Sequence, residues 1–96
     1  MIGRLQMSIP SLRRGREDSI EAHLQRVRNQ GYASGASEAR LFKSTVGKGY
    51  GRSQALEWLG RAVAVGRTDL AGQHAHEDEI DAWDMSCRIA FMVATV

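Results

Sequence analysis

Gly31-Tyr32-Ala33-Ser34-Gly35-Ala36-Ser37-Glu38-Ala39-Arg40 places two glycines four residues apart between stretches of helical periodicity. This run reads as a break. Gly31 is a natural left-handed helix stop, Tyr32 to Gly35 form a turn, and Ser37 caps a new helix. The number of helices in the chain follows from that reading.

Upstream, residues 18–30 form an amphipathic helix. Asp18 caps it, Glu21 stands at its third position, and Ile20, His23, Leu24 and Val27 share one stripe. Earlier still, Leu5, Met7 and Ile9 alternate as in a short edge strand that Pro10 ends, with Arg13, Arg14 and Arg16 in a loop around Gly15. Downstream of Ser37, Ala39, Phe42 and Val46 lie on one side of a short helix that Gly47 closes. Gly47-Lys48-Gly49-Tyr50-Gly51-Arg52 is the most flexible stretch. Ser53 caps a helix over 53–65, with Ala55, Leu56, Leu59, Ala62 and Val63 on its apolar face and Gly66 at its end. A last helix starts near His76, its first turn filled with Glu77, Asp78 and Glu79, where the helix dipole favours negative charge. It carries two apolar stripes, Ile80, Trp83, Cys87, Ala90, Phe91 and Ala94 on one side and Met85, Ile89, Met92 and Val96 on another. A terminal strand over 89–96 is the competing reading. The expectation is an all-α, compact four-helix domain, with a short N-terminal β-strand as an option. One domain spans 1–96, divided into an extended basic segment over 1–16 and a helical core over 17–96.

The 96 residues allow one core and little room for an enclosed active site. A net charge of +2 conceals a strong asymmetry. Met1 to Arg67 holds twelve basic residues against five acids, and Thr68 to Val96 holds one base against six acids. Eleven of the thirteen basic residues are arginine, as a GC-rich coding genome would produce or as bidentate recognition of phosphate or carboxylate would use. The single cysteine excludes an internal disulfide, Arg13, Arg14 and Arg16 follow the first apolar residues in the wrong order for a secretory signal, and the longest apolar run is too short to span a bilayer. A cytoplasmic protein without membrane contact is expected.

Candidate chemistry is sparse. Lys48 and Arg52 flank a glycine-rich loop ahead of a helix, a place where backbone N–H groups can bind an anion. The spacing is not that of a P-loop, and the same residues serve equally as a plain helix connection. Gly51-Arg52-Ser53 imitates a nucleophile elbow, yet a helix cap explains Ser53 more simply. His74 and His76 are two apart, a spacing that shares a face only in a strand, so no metal is assigned. His23 lies on an apolar stripe, as a core or boundary histidine does. No base, nucleophile and oxyanion hole occur as a set, and neither an enzyme nor a cofactor is expected.

The stretch Gly31 to Arg40 resembles the inter-helix turn of ribbon–helix–helix antitoxins over about ten residues. That resemblance implies paired N-terminal strands, here Leu5 to Ile9, lying in a DNA groove. The segment between Ile9 and the helix, with Pro10 and three arginines, departs from the family pattern, and no family is assigned. In size and character alone the chain resembles small phage-encoded inhibitors, anti-CRISPR proteins among them. The expected function is a non-enzymatic, protein-binding inhibitor or regulator of a larger, nucleic-acid-handling machine, with an acidic protein surface as partner. Direct DNA or RNA binding is the alternative. The residues expected to carry either are Arg13, Arg14, Arg16, Lys48, Tyr50 and Arg52, with Tyr50 stacking on a base. Mutual docking of the basic part and the acidic last helix would remove that surface. Ile89, Phe91, Met92, Val93 and Val96 are expected to form a homodimer interface, being more apolar surface than one short chain readily hides.

Overall fold

The structure, a computed structural model, describes residues 8–96, with side chains from Ser19 onward. Three helices account for them: α1 (Ser8–Val46), α2 (Arg52–Gly72) and α3 (Glu77–Thr95). No strand occurs among the described residues. The all-α class holds, with three helices and not four among the described residues. The two expected helices over 18–46 are one helix of 39 residues, about 58 Å long at 1.5 Å per residue. It sets the longest of the 64 × 24 × 16 Å extents of the chain. The turn over 32–35, and with it the likeness to an antitoxin turn, is helix. The helix begins at Ser8, so Arg13, Arg14 and Arg16 lie on it and not in a loop, their side chains outside the described residues. Pro10 fits there because a first helical turn leaves its N–H groups without intrahelical partners. The candidate strand at Leu5 and Met7 lies outside the described residues, and Ile9 belongs to α1.

The reason α1 continues through its glycines is packing. Gly31, Gly35 and Ala39 are buried, four residues apart on one face, against α3. A Cβ on Gly31 would stand 2.5 Å from the Trp83 carbonyl oxygen and 2.8 Å from Ser86 Cβ. One on Gly35 would overlap the Cys87 carbonyl oxygen and reach Ala90 Cβ at 3.0 Å. The two backbones therefore approach as only glycine permits, and dense packing offsets the roughly 1 kcal/mol that each helical glycine costs. Only Gly47 (φ +74°) and Gly49 (φ +85°) take left-handed backbone among the described glycines, both in the five-residue connection after α1.

Gly66 repeats the lesson in α2. The helix runs on past it to Gly72, and Trp83 Cζ2 lies 2.6 Å from where a Gly66 Cβ would stand. The α2 start also differs from expectation. Gly51 is the N-cap, and its N–H donates to Gln54 Oε1 at 2.8 Å, so Ser53 sits inside the first turn. After α2 the chain turns through His74 (φ +65°), whose N–H donates to the Ala71 carbonyl while that of Ala75 donates to the Leu70 carbonyl. This is a Schellman stop with histidine where glycine is usual.

Helices α1 and α3 run parallel, with His23 beside Glu79 at one end and Tyr50, just past α1, beside Thr95 at the other. Helix α2 runs antiparallel to both. The core lies between them: Val27, Ala39 and Phe42 from α1, Ala55, Leu59 and Val63 from α2, and Trp83, Cys87 and Phe91 from α3. At the end near the α1–α2 connection, Phe42 is the aromatic hub, with ring centroids 4.7 Å from Tyr50, 5.4 Å from Trp58 and 5.8 Å from Phe91. Residues 89–96 are helical through Thr95, so the terminal-strand alternative fails. No described helix is long and apolar enough to cross a membrane.

Candidate interaction surfaces

The expected site residues are dispersed. Arg16 and the α1–α2 connection are separated by thirty residues of helix, about 45 Å, so Arg13, Arg14 and Arg16 do not share one face with Lys48 and Arg52. Lys48 is exposed between the two left-handed glycines. Tyr50 is partly buried and tied into the fold. Its ring packs edge-on against Phe42, and its hydroxyl donates to the Thr95 carbonyl at 2.9 Å. That bond pins the connection to the C-terminal end of α3. Arg52 lines a groove of about 320 Å³ between α2 and α3 with Leu56, Met92, Thr95 and Val96.

Of the expected dimer residues, Phe91 is 1 % exposed and belongs to the chain's own core. Its position four residues after Cys87 and eight after Trp83, both buried, places it on the inner stripe, and an aromatic beside Phe42 contributes most when buried. Ile89, Met92, Val93 and Val96 remain exposed, and Met85 joins them.

Besides the Arg61–Glu57 pair within α2, three groups of charge stand out. In the first, Arg67 of α2 reaches three carboxylates of α3: Asp84 at 2.8 Å, Asp81 at 3.2 Å and Glu77 at 3.3 Å. Hydrogen bonds to Asp84 and then Asp81 hold its guanidinium above the ordinary arginine value. Arg88 closes on Asp84 from one turn further along α3. In the second, His23 Nε2 meets Glu79 Oε2 at 2.7 Å, while Glu79 Oε1 accepts the N–H of His76, the α3 N-cap, at 3.0 Å. The backbone bond from His76, and then the bond to His23, hold the Glu79 carboxyl below its ordinary value of 4.5.

A pH effect follows from Glu79. A lowered folded-state value stabilises the fold above the unfolded value, and that contribution disappears as pH falls through the folded one. Thermal melts followed by circular dichroism should show Glu79→Gln less stable than the parent at neutral pH. The two should converge as pH falls through the folded-state value of Glu79, where the parent carboxyl also becomes neutral. A difference that persists there would mean that the charge of Glu79 is not what stabilises this corner.

The third group is the outward face of α1. Arg26, Arg40 and Lys43 are exposed there, and none meets a carboxylate among the described residues. Asn29, Ala33 and Ser37, also exposed, lie on this face between them. Helical periodicity could have indicated this face, because 26, 33 and 40 are successive heptad steps, but the assumed turn at 32–35 broke the register.

Cys87 is buried at the α1–α3 crossing. Burial raises its thiol, and the nearby Glu38 and Asp84 charges raise it further, so the thiolate that nucleophilic chemistry uses is disfavoured. His74 and His76 lie on the turn before α3, and no three metal-ligating side chains converge among the described residues. Comparison with protein-family models, curated proteins and solved structures finds no match for this chain.

Proposed function

We propose that the chain is a small, non-enzymatic, protein-binding inhibitor or regulator of a larger, nucleic-acid-handling machine in the cytoplasm, and that the outward face of α1 takes an acidic protein surface. The carrying observation is the fate of the charges on folding. Carboxylates of α3 are met by Arg67, Arg88 and His23, whereas Arg26, Arg40 and Lys43 stay uncompensated among the described residues. The basic part is thus not consumed by docking on the acidic helix. Arg26 and Arg40 stand fourteen residues apart on a single rigid helix, about 21 Å, a fixed spacing for two bidentate contacts to carboxylates. Such a face also steers encounter with an acidic partner. The likeness to small phage-encoded inhibitors is one of size and character.

Affinity capture with the full chain in an extract of its native host tests this reading. A protein should be retained after nuclease treatment and lost with the double variant Arg26→Glu, Arg40→Glu, whose exposed positions leave the helix content intact. Capture abolished by nuclease, or a DNA or RNA mobility shift whose log affinity falls linearly with log salt, would establish the nucleic-acid reading instead.

A further inference from the structure

The outer face of α3 carries a second sequence pattern, of which only Ala82 packs against the edge of the core. Asp78, Ala82, Met85, Ile89, Met92 and Val96 follow one another at spacings of four, three, four, three and four. That is the alternation of a coiled-coil seam. Met85, Ile89, Met92 and Val96 are all exposed, with Val93 beside them. Helix α1 covers the opposite face through Gly31 and Gly35, and α2 lies along one flank through the Arg67 carboxylate bonds. Nothing among the described residues covers the seam.

We propose that this seam pairs α3 with α3 of a second copy, antiparallel, in a two-fold homodimer. Charge decides both the occupant and the direction. The seam begins at Asp78, with Glu77 and Asp81 beside it, and Asp78 has no cationic partner among the described residues. At the opposite end of α3 stand Lys48 and Arg52, held there by the Tyr50–Thr95 hydrogen bond and likewise without a carboxylate among the described residues. The seam therefore bears acid at one end and, through Arg52 beside Met92 and Val96, base at the other, with apolar side chains between. Parallel pairing would set Asp78 against its own copy, a like-charge contact that disfavours the arrangement. Antiparallel pairing that sets Met85 against the partner's Val96 also sets Ile89 against the partner's Met92. Asp81 and Asp78 then stand about 6 and 10 Å beyond the partner's Val96, level with the end that carries Lys48 and Arg52. A surface that complements itself under two-fold rotation is what an isologous dimer requires. The proposal is independent of the α1 reading, because the two faces lie on different helices.

The experiment is sedimentation equilibrium of the full chain, combined with cysteine crosslinking. The parent should sediment at twice 10.6 kDa. Ile89→Glu should weaken association by roughly a hundredfold or more, since each dimer loses two central apolar contacts, with helix content unchanged. Asp78→Arg should weaken it by roughly fivefold to tenfold, and adding Arg52→Asp should restore it. For direction, Met85→Cys and Val96→Cys chains are oxidised separately and mixed, the buried Cys87 being left in place. Crosslinking chiefly in the mixture is expected. A monomer at all concentrations, a dimer indifferent to Ile89→Glu, or crosslinks formed equally well by each variant alone would overturn the proposal.

Discussion

Gly35→Ala should destabilise the fold by about 3 kcal/mol, although alanine is the better helix former. A methyl at Gly35 would overlap the Cys87 carbonyl oxygen and press on Ala90 Cβ. The obstacle is mainly backbone, and backbone cannot rotate aside as a flexible side chain can. Relief requires α1 and α3 to separate, which loosens the contact along Gly31, Ala39 and the inner stripe of α3. Gly60→Ala provides the control. Gly60 lies within α2, and nothing stands within 4 Å of the place its methyl would take, so the same change there should stabilise by up to about 1 kcal/mol. Urea unfolding of both variants compares two identical chemical changes with opposite expected signs. If both stabilise, α1 and α3 do not approach so closely.

Phe42→Ala should cost about 3–5 kcal/mol, a large share of the roughly 5–15 kcal/mol typical of a domain. Phe42 is 1 % exposed and touches the rings of Tyr50, Trp58 and Phe91, so its loss opens a cavity bordered by all three elements of the core. Trp58 is also tied by its indole N–H to Glu38 Oε1 at 3.0 Å, and Tyr50 by its hydroxyl to Thr95, so neither ring can swing in to fill the gap without breaking a bond. Leu41→Ala, one residue away and 52 % exposed, should change stability by no more than about 0.5 kcal/mol. Trp fluorescence should report a lower denaturation midpoint for Phe42→Ala alone.

Some of this protein is legible in its sequence. The all-α class, the stripe Ile80–Trp83–Cys87–Phe91, the acids of the first α3 turn and the outer stripe Met85–Ile89–Met92–Val96 all follow from periods of about 3.5 to 3.6 residues. Such periods are local, because one helix displays them unaided. The charge asymmetry is a count and needs no fold. What cannot be read there is the meaning of each glycine. Gly31 and Gly66 look like stops because glycine suits left-handed backbone, and Gly47 really does end a helix at φ +74°. The residue is equally suited to letting two backbones touch, and for Gly31 and Gly35 that use depends on atoms some fifty residues away in Trp83, Ser86 and Cys87. The same holds for Phe91, whose stripe is visible but whose burial in its own core, and not in an interface, requires Phe42 opposite it.

Charge pairing divides along the same line. From the sequence alone the arginines are an undifferentiated excess. Tertiary structure turns Arg67 into a clamp on three α3 carboxylates and leaves Arg26 and Arg40 on an open face. Periodicity and composition belong to the chain by itself, so the sequence determined helices, their inner stripes and the net polarity of the two parts. Close approach and ion pairing belong to pairs of residues far apart in sequence, so the count of helices, the membership of the core and the surface left available for binding were decided only when α1, α2 and α3 packed.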